Sequence, residues 1–339
     1  MTKHFLVPPE LSFEPIQLCN ATCFMCPYTW LSKDKEYRGK KMSREQLESL
    51  IEDYSQLLQK HNVKPWTAEL TPWRYSDPLV CPDLEFIFEQ AHKHQLKVNI
   101  TTNGVSFTER NCKILQKYLE CIDKIIISVI GYTADEIKEF MGVNWNVTQA
   151  RLIKVKENFP EISKRMEIGV KHKEQEVDKD RRKAIVAKLS AITLGRVKAK
   201  NHWMTNRMGA GDGVWMTGSD MKINEKHFVQ GCSMVFGKIF RKMEILVDGT
   251  AVLCCEDATK ITNYGNVFEE GIEKVWANLR KEIELIYSKT FTEAKKNLIC
   301  NNCSRAKGYW TEKDQAEQDQ HQNKVAEMTG LKLESVSNT

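Results

Sequence analysis

A chain of 339 residues, 41% hydrophobic and 28% charged, has the make-up of a folded globular protein of about two domains. That composition excludes a disordered, a collagenous or a small disulfide-stapled chain. Fifty basic residues against 45 acidic ones leave a net charge of +5, too slight a surplus to mark a nucleic-acid binder. The N-terminal stretch Met1–Pro15 lacks the apolar core of a signal peptide, and no run approaches the roughly 18 apolar residues of a membrane span. The expected location is the cytoplasm. Eleven cysteines there point to metal or redox chemistry rather than to disulfides.

Six strand-like runs alternate with amphipathic stretches: Pro15–Cys19, Trp66–Thr71, Leu96–Thr102, Lys124–Ile130, Met166–Val170 and Ala191–Lys198. Val, Ile and Thr crowd the middle ones, as suits buried parallel strands. A capping box at Ser43–Gln46 opens a helix over Glu45–His61. Apolar spacing predicts a second over Asp83–His94. A capping box at Thr133–Glu136 precedes a third over Ile137–Met141, and a charged helix follows over Val177–Leu189. Strands alternating with helices predict a parallel α/β fold. Six units fall short of a closed eight-unit barrel, so an open barrel or a doubly wound sheet is expected. In either, the working residues sit just past the C-terminal ends of the strands.

From about Val214 the pattern changes. Lys242–Val247 and Thr250–Leu253 flank Asp248-Gly249 and read as a β-hairpin. Gly271–Leu279 and Arg280–Lys289 read as helices. A core domain over residues 1–213 is thus expected, with a smaller domain over 214–310. Residues 311–339, with six acids and three bases, read as a poorly ordered or loosely docked polar tail. Lys164–Lys200 holds twelve basic and five acidic residues, part of it the solvated face of the charged helix. With Arg74, His202, Trp203 and Arg207 it also suits an anionic substrate.

Cys19, Cys23 and Cys26 form C-x3-C-x2-C directly after the first strand-like run. Such spacing lets one loop wrap a metal with three thiolates. A structural zinc site or a closed [4Fe–4S] cluster takes four ligands, so three leave one iron open. The bland alternative is a zinc loop finished by a distant ligand, or unrelated thiols. A second set comprises Cys232, Cys254, Cys300 and Cys303, and four thiolates fit either a closed cubane or structural zinc. Cys81, Cys112 and Cys121 fall on helix or strand faces, as core thiols do.

The stretch Leu18-Cys-Asn-Ala-Thr-Cys-Phe-Met-Cys-Pro27 resembles the radical S-adenosylmethionine (radical SAM) superfamily. The resemblance implies an open partial (β/α)6 TIM-like barrel carrying a three-cysteine [4Fe–4S] cluster. It also implies reductive cleavage of S-adenosylmethionine to a 5′-deoxyadenosyl radical, which takes a hydrogen atom from substrate. Ser76-Asp77-Pro78 stands where the family carries Gly-Glu-Pro, so Ser76 and Asp77 are expected near the SAM amino group, with the Glu shortened and the glycines lost. Thr102-Asn103-Gly104 matches the family's Thr-Asn-Gly. Ser128 is a candidate ribose contact, or else a strand serine bonded to backbone. Asn206-Arg207-Met208-Gly209 resembles a family stretch near SAM and substrate, making Arg207 a candidate carboxylate contact. Gly209–Gly213 opens no clear helix and is a weak dinucleotide signal.

Cys232, Gly249-x4-Cys254, Gly265-Asn266-Val267 and Cys300-x2-Cys303 resemble the SPASM and twitch extensions of that superfamily. They imply a small α+β domain with a second, auxiliary [4Fe–4S] cluster. Asp257 is a candidate base. Cys255 is a candidate hydrogen-atom donor, and also reads as a packed thiol or an alternative cluster ligand. The expected reaction is oxidation, epimerisation or isomerisation of a sugar, aminocyclitol or nucleoside-type molecule, modified DNA bases included. The expected electron donor is of the flavodoxin or ferredoxin type. With only 18 residues before Cys19, no upstream peptide-recognition or cobalamin domain is expected. The alternatives are a maturase of a ribosomal peptide or protein side chain, a catalytically inert member of the superfamily, and a non-enzymatic zinc protein binding nucleic acid.

Overall fold

The computed structural model describes residues 3–172, 179–199, 227–232, 241–258, 260–308, 311–330 and 333–335. Its strands in chain order are β1 (Lys3–Phe5), β2 (Glu10–Phe13), β3 (Glu69–Thr71), β4 (Lys97–Thr102), β5 (Ile122–Ile130) and β6 (Met166–Lys171). They continue as β7 (Arg196–Ala199), β8 (Gly231–Cys232), β9 (Lys242–Ile245), β10 (Ala251–Val252), β11 (Ala306–Lys307) and β12 (Leu333–Ser335). Two compact units emerge: Phe13–Glu48 with Leu70–Trp203, and Met1–Ser12 with Ser49–Glu69 and Met204–Thr339. The expected boundary at 213/214 lies outside the described residues.

The first unit holds strands in the order β3–β4–β5–β6–β7, of which β4 to β7 pair in parallel. Register places Thr101 beside Ile126, Ser128 beside Gly169, and Gly169 beside Lys198. Side chains alternate between faces. Val98, Ile100, Ile125, Ile127, Ile168 and Val170 lie on a fully buried face. Thr101, Ser128, Glu167, Gly169 and Lys171 lie on the other, which is only half-buried. Helices Leu84–Lys93, Ala134–Met141 and Lys179–Ser190 match the expected ones to within a few residues, the last only from Lys179 because 173–178 lie outside the described residues. Glu109–Lys117 and Trp145–Asn158 are further helices. This is the open, mostly parallel α/β architecture that the alternation predicts.

Sequence reasoning misplaces three strand starts, β3 among them, which begins at Glu69 and not Trp66 because Pro65–Thr67 is a short 3-10 helix. The first is β2 at Glu10–Phe13, not Pro15–Cys19. Pro15 has no N–H to give a ladder, so pairing ends before it. Residues 15–18 are irregular instead, with one isolated bridge from Ile16 to Lys41. The last strand begins at Arg196 rather than Ala191. Gly195 presses so closely on the Met166 carbonyl that a Cβ there would collide with it, and residues 191–195 form a turn.

In the second unit the strands run in the order β10–β9–β2, and the β9–β10 hairpin turns at Asp248-Gly249 as predicted. Gly249 takes φ +89°, which the turn requires. The two expected helices are one, Ile272–Tyr287, because nothing breaks the apolar spacing between Leu279 and Arg280. It buries Trp276, whose Nε1 donates to the Phe5 carbonyl at 2.9 Å. Burying such a side chain stabilises the unit by about 2–3 kcal/mol. β8 pairs with β11, setting Cys232 opposite Ala306.

The polar tail is not loose. Glu312–Thr329 is a helix with a Thr311–Asp314 capping box, and β12 pairs with β1. Its inward positions are Gln322, Val325 and Thr329, so its apolar pattern is too thin to read from sequence. The Lys307 ammonium, with the Thr311 N–H and hydroxyl, holds Asp314 down to about 2. A depressed acid stabilises the fold above its unfolded pKa and loses that contribution as pH falls through the folded one. The cap is therefore intact above about pH 4 and lost between about 4 and 2. Asp314→Asn should delete that component from an acid titration followed by far-ultraviolet circular dichroism; an unchanged titration would refute the assignment.

Candidate functional site

The loop carrying Cys19, Cys23 and Cys26 is held mainly by backbone hydrogen bonds. Asp77 N–H donates to the Leu18 carbonyl at 3.1 Å. On the far side, Thr22 N–H and Phe24 N–H donate to the Met141 and Phe140 carbonyls, each at 2.9 Å. The Phe24 and Phe140 rings stand 5.7 Å apart. Thr29 Oγ1 donates to the Cys23 carbonyl at 2.7 Å, and Cys26 N–H closes a turn on the same oxygen. Gly142, at φ +67°, ends the Ala134–Met141 helix so close to the loop that a Cβ would strike Thr22 Oγ1.

Burial pushes the Cys19 thiol up to about 12, aided by Asp77 and Cys26. Burial raises Cys23 further still, with Cys26 and Cys19 adding to it. Each sulfur thus feels its neighbours, and thiolates gathered there need a cation to replace their protons. Ala21 N–H lies 3.4 Å from Cys19 Sγ, and Asn103 Nδ2 lies 3.8 Å away.

That amide is aimed by a buried network. Both Asp77 oxygens accept from Thr102 Oγ1, at 3.0 and 2.8 Å. They also accept the N–H groups of Leu79 and Asn103, at 3.0 and 2.9 Å. Burial raises the Asp77 carboxyl, while those donors hold it down. Asn103 Nδ2 donates to Asn20 Oδ1 at 2.7 Å, and Asn20 donates to Ser106 Oγ at 2.8 Å. So Asp77 braces the end of β4 rather than presenting a free carboxylate. Ser76 Oγ, by contrast, is buried with no hydrogen-bond partner among the described residues, an opening for a ligand. Ser128 sits half-buried on β5, and a Cβ at neighbouring Gly169 would meet only the Ile127 carbonyl, at 3.9 Å. Arg207 lies outside the described residues.

The second unit gathers the other four thiols. Cys232 is on β8. Cys254 follows β10 after one residue. Cys300 and Cys303 flank a knuckle in which Cys303 N–H donates to the Cys300 carbonyl at 3.0 Å. Burial raises Cys254, then Cys255, Cys300 and Cys303 raise it further. Burial likewise raises Cys300, helped by Cys232 and Cys303. Burial carries Cys303 to about 12 despite the Arg305 N–H, with Cys232 contributing. The donor sets of three and four thiols both fit an iron–sulfur cluster.

Asp257 is fully buried, and its oxygens accept from Ile261 N–H, Thr262 N–H and Thr262 Oγ1 at 3.1, 3.0 and 2.6 Å. It holds the turn behind Cys254. Cys255 is half-buried and within electrostatic reach of Lys242. Lys242 Nζ lies 3.1 Å from Glu10 and 3.3 Å from Glu244. Burial would lower Lys242, but Glu244 and Glu10 hold it above the ordinary lysine range.

Sequence reasoning missed Lys295. It is completely buried, and its Nζ donates to the Val229, Ser288 and Ile286 carbonyls at 2.6, 2.5 and 3.4 Å. Asn301, inside the cysteine knuckle, donates back to the Lys295 carbonyl at 2.9 Å. In the sequence Lys295 sits in a Lys-Lys-Asn run that reads as solvated, so no signal marked it. Asn20, lying between two motif cysteines, carried one.

A model of the SPASM family, described as an iron–sulfur cluster-binding domain, matches residues 232–304, a span holding all four of these cysteines. No curated protein matches the chain. Among solved structures, BtrN in complex with AdoMet and 2-DOIA aligns with TM-score 0.54 and 17% identity, over 88% of this chain and 94% of that one. Streptococcus suis SuiB bound to S-adenosylmethionine aligns with TM-score 0.52 and 15% identity, over 83% and 68%. The chain shares the fold of these two structures, and its residues 232–304 match the SPASM iron–sulfur domain.

Two substitutions test these supports. Gly142→Ala should cost about 1–2 kcal/mol from its left-handed backbone alone, and should shed iron from the Cys19–Cys26 loop before the fold melts. Lys295→Met leaves three buried carbonyls without a donor and should cost roughly 3 kcal/mol in chemical denaturation; unchanged stability would show that the ammonium is not a structural clamp.

Proposed function

We propose that this protein is a radical SAM enzyme acting on a small polar substrate of the sugar, aminocyclitol or nucleoside type. The observation that carries the reading is the set of three partly buried thiols, Cys19, Cys23 and Cys26, on one loop beside the end of β4, where Asn103 Nδ2 lies 3.8 Å from Cys19 Sγ. The cluster and SAM, when bound there, supply reductive cleavage of SAM to a 5′-deoxyadenosyl radical that takes a hydrogen atom from substrate. The chain's own residues do the rest. Cys19, Cys23 and Cys26 would hold the first cluster, and Cys232, Cys254, Cys300 and Cys303 would hold a second. Ser76 Oγ and the backbone of Ser76–Pro78 contact the SAM amino group, while Asp77 keeps Thr102 and Asn103 in place. Ser128, beside the open space at Gly169, faces the ribose.

Cys255 is the candidate hydrogen donor, because it alone of the domain's thiols is half-exposed next to a cation outside the four-cysteine set. Asp257 serves as a turn brace, since its oxygens already accept three hydrogen bonds. The small-substrate class rests on the likeness to BtrN, whose structure holds 2-DOIA beside AdoMet. Reduction requires an external electron donor, here of the flavodoxin or ferredoxin type. The zinc reading is disfavoured by the iron–sulfur description of the domain matched over 232–304.

After anaerobic reconstitution the protein should carry about eight irons, and the Cys19/Cys23/Cys26 triple alanine variant about four. The wild type should form 5′-deoxyadenosine from SAM and dithionite, and the variant none. Cleavage retained in the variant, or zinc in place of iron and sulfide, would sink the assignment.

A further inference from the structure

The segment that follows the cysteine loop is conspicuously basic. Residues 33–44 carry Lys33, Lys35, Arg38, Lys40, Lys41 and Arg44 against only Asp34 and Glu36, and all eight are exposed. Lys41 and Arg44 share the single carboxylate of Asp83, at 3.3 and 2.7 Å. The other four, Lys33, Lys35, Arg38 and Lys40, make no ion pair among the described residues. Elsewhere in the same unit exposed cations are commonly paired, as in Lys93–Glu48, Lys117–Glu85, Lys164–Glu161 and Lys198–Glu167. Four unpaired cations on one short loop are a stored attraction for a negative surface.

The loop is bound directly to the approach to Cys19. Gly39 N–H donates to the Gln17 carbonyl at 2.9 Å, Gln17 N–H to the Lys40 carbonyl at 2.8 Å, and Met42 N–H to the Pro15 carbonyl at 3.0 Å. Between the basic residues, Tyr37 turns inward. Its hydroxyl donates to Glu14 at 2.9 Å, its ring lies 6.4 Å from Tyr28, and it is within electrostatic reach of Cys26. The patch therefore sits on a fixed platform a few residues, through covalent and hydrogen bonds, from two of the three cluster thiols. A low-potential electron has to enter that cluster from outside the chain, and charge-complementary faces raise the encounter rate of such partners.

We propose that loop 33–41 is the docking surface for a small acidic electron-transfer protein. This rests on the reading of the Cys19–Cys26 loop as a radical SAM centre and names that centre's partner. One electron leaves the partner's reduced cofactor and enters the cluster; no atom is transferred. A nucleic acid would also be drawn to positive charge, but the only aromatic residue of the loop, Tyr37, is buried and offers no base a stacking face. The neighbouring redox site favours the protein partner.

The test uses the full-length reconstituted protein, flavodoxin as probe, and 5′-deoxyadenosine formation as readout. One variant reverses the charges (Lys33→Glu, Lys35→Glu, Arg38→Glu, Lys40→Glu) and a second replaces the same four with Gln. With dithionite, both should match wild type in rate and iron content. With reduced flavodoxin at about 50 mM salt, charge reversal should lower the rate about tenfold or more and the Gln set less. The wild-type flavodoxin rate should fall with added salt, and that of the Gln variant should stay nearly flat. Equal flavodoxin-driven rates in all three proteins overturn the proposal. So does a wild type that turns over with dithionite and not with flavodoxin. A Gln variant with full iron that loses both rates alike also overturns it, since the loop would then serve the site itself. Loss of salt-sensitive DNA binding with unchanged flavodoxin rates would assign the surface to nucleic acid instead. A fully iron-loaded wild type that cleaves no SAM with dithionite refutes the radical SAM reading itself, a result separate from all of these.

Discussion

Thiols held close together on one partly buried loop repel one another as soon as they ionise. Everything around Cys19, Cys23 and Cys26 answers that constraint. The loop cannot rely on its own sulfurs for shape, because without a cation they stay protonated and weakly bonding. Its geometry comes instead from backbone N–H groups donating to Met141, Phe140 and Cys23 carbonyls and from the Asp77 N–H on Leu18. Such bonds are worth about 1 kcal/mol each and act together. They fix the path of the loop on which the three sulfurs sit. The same logic governs the second set, where a strand pair and a tight knuckle bring Cys232 near Cys300 and Cys303.

Two buried lysines show how differently one side chain is accommodated. Lys295 has carbonyl oxygens around its ammonium, and burial lowers it to about 8. Lys242 lies between Glu10 and Glu244, and the carboxylates hold its proton tightly. The first arrangement joins segments of backbone through one ammonium. The second makes a permanent cation beside Cys255. A buried ion pair is weak evidence for stability in itself, because desolvation offsets most of the attraction. Its location next to a half-exposed thiol is the informative part.

Much of this was legible in the chain. Apolar runs crowded with Val, Ile and Thr gave the middle strands, because β4, β5 and β6 are fully buried on one face. Capping boxes located two helix starts, at Ser43 and Thr133, since that reciprocal bond is local. Cysteine spacing gave both donor sets. What failed depended on tertiary contacts. Pro15 displaced the first strand, and the close approach of Gly195 to Met166 shortened the last. The helix Glu312–Thr329 is docked by Gln322, Val325 and Thr329, so composition alone made it look unfolded. Asp77 and Asp257 read as free acids in sequence. Only the fold shows that their oxygens accept neighbouring N–H and hydroxyl groups.

The turn behind Cys254 is self-supporting. Thr262 Oγ1 donates to Asp257 and accepts from Leu253 N–H at 2.9 Å, and Asp257 N–H returns to the Cys254 carbonyl at 3.1 Å. A closed ring of bonds spanning only Leu253 to Thr262 thus fixes the Cys254 end of the donor set locally, so that segments elsewhere in the domain can diverge in sequence while this thiol keeps its place.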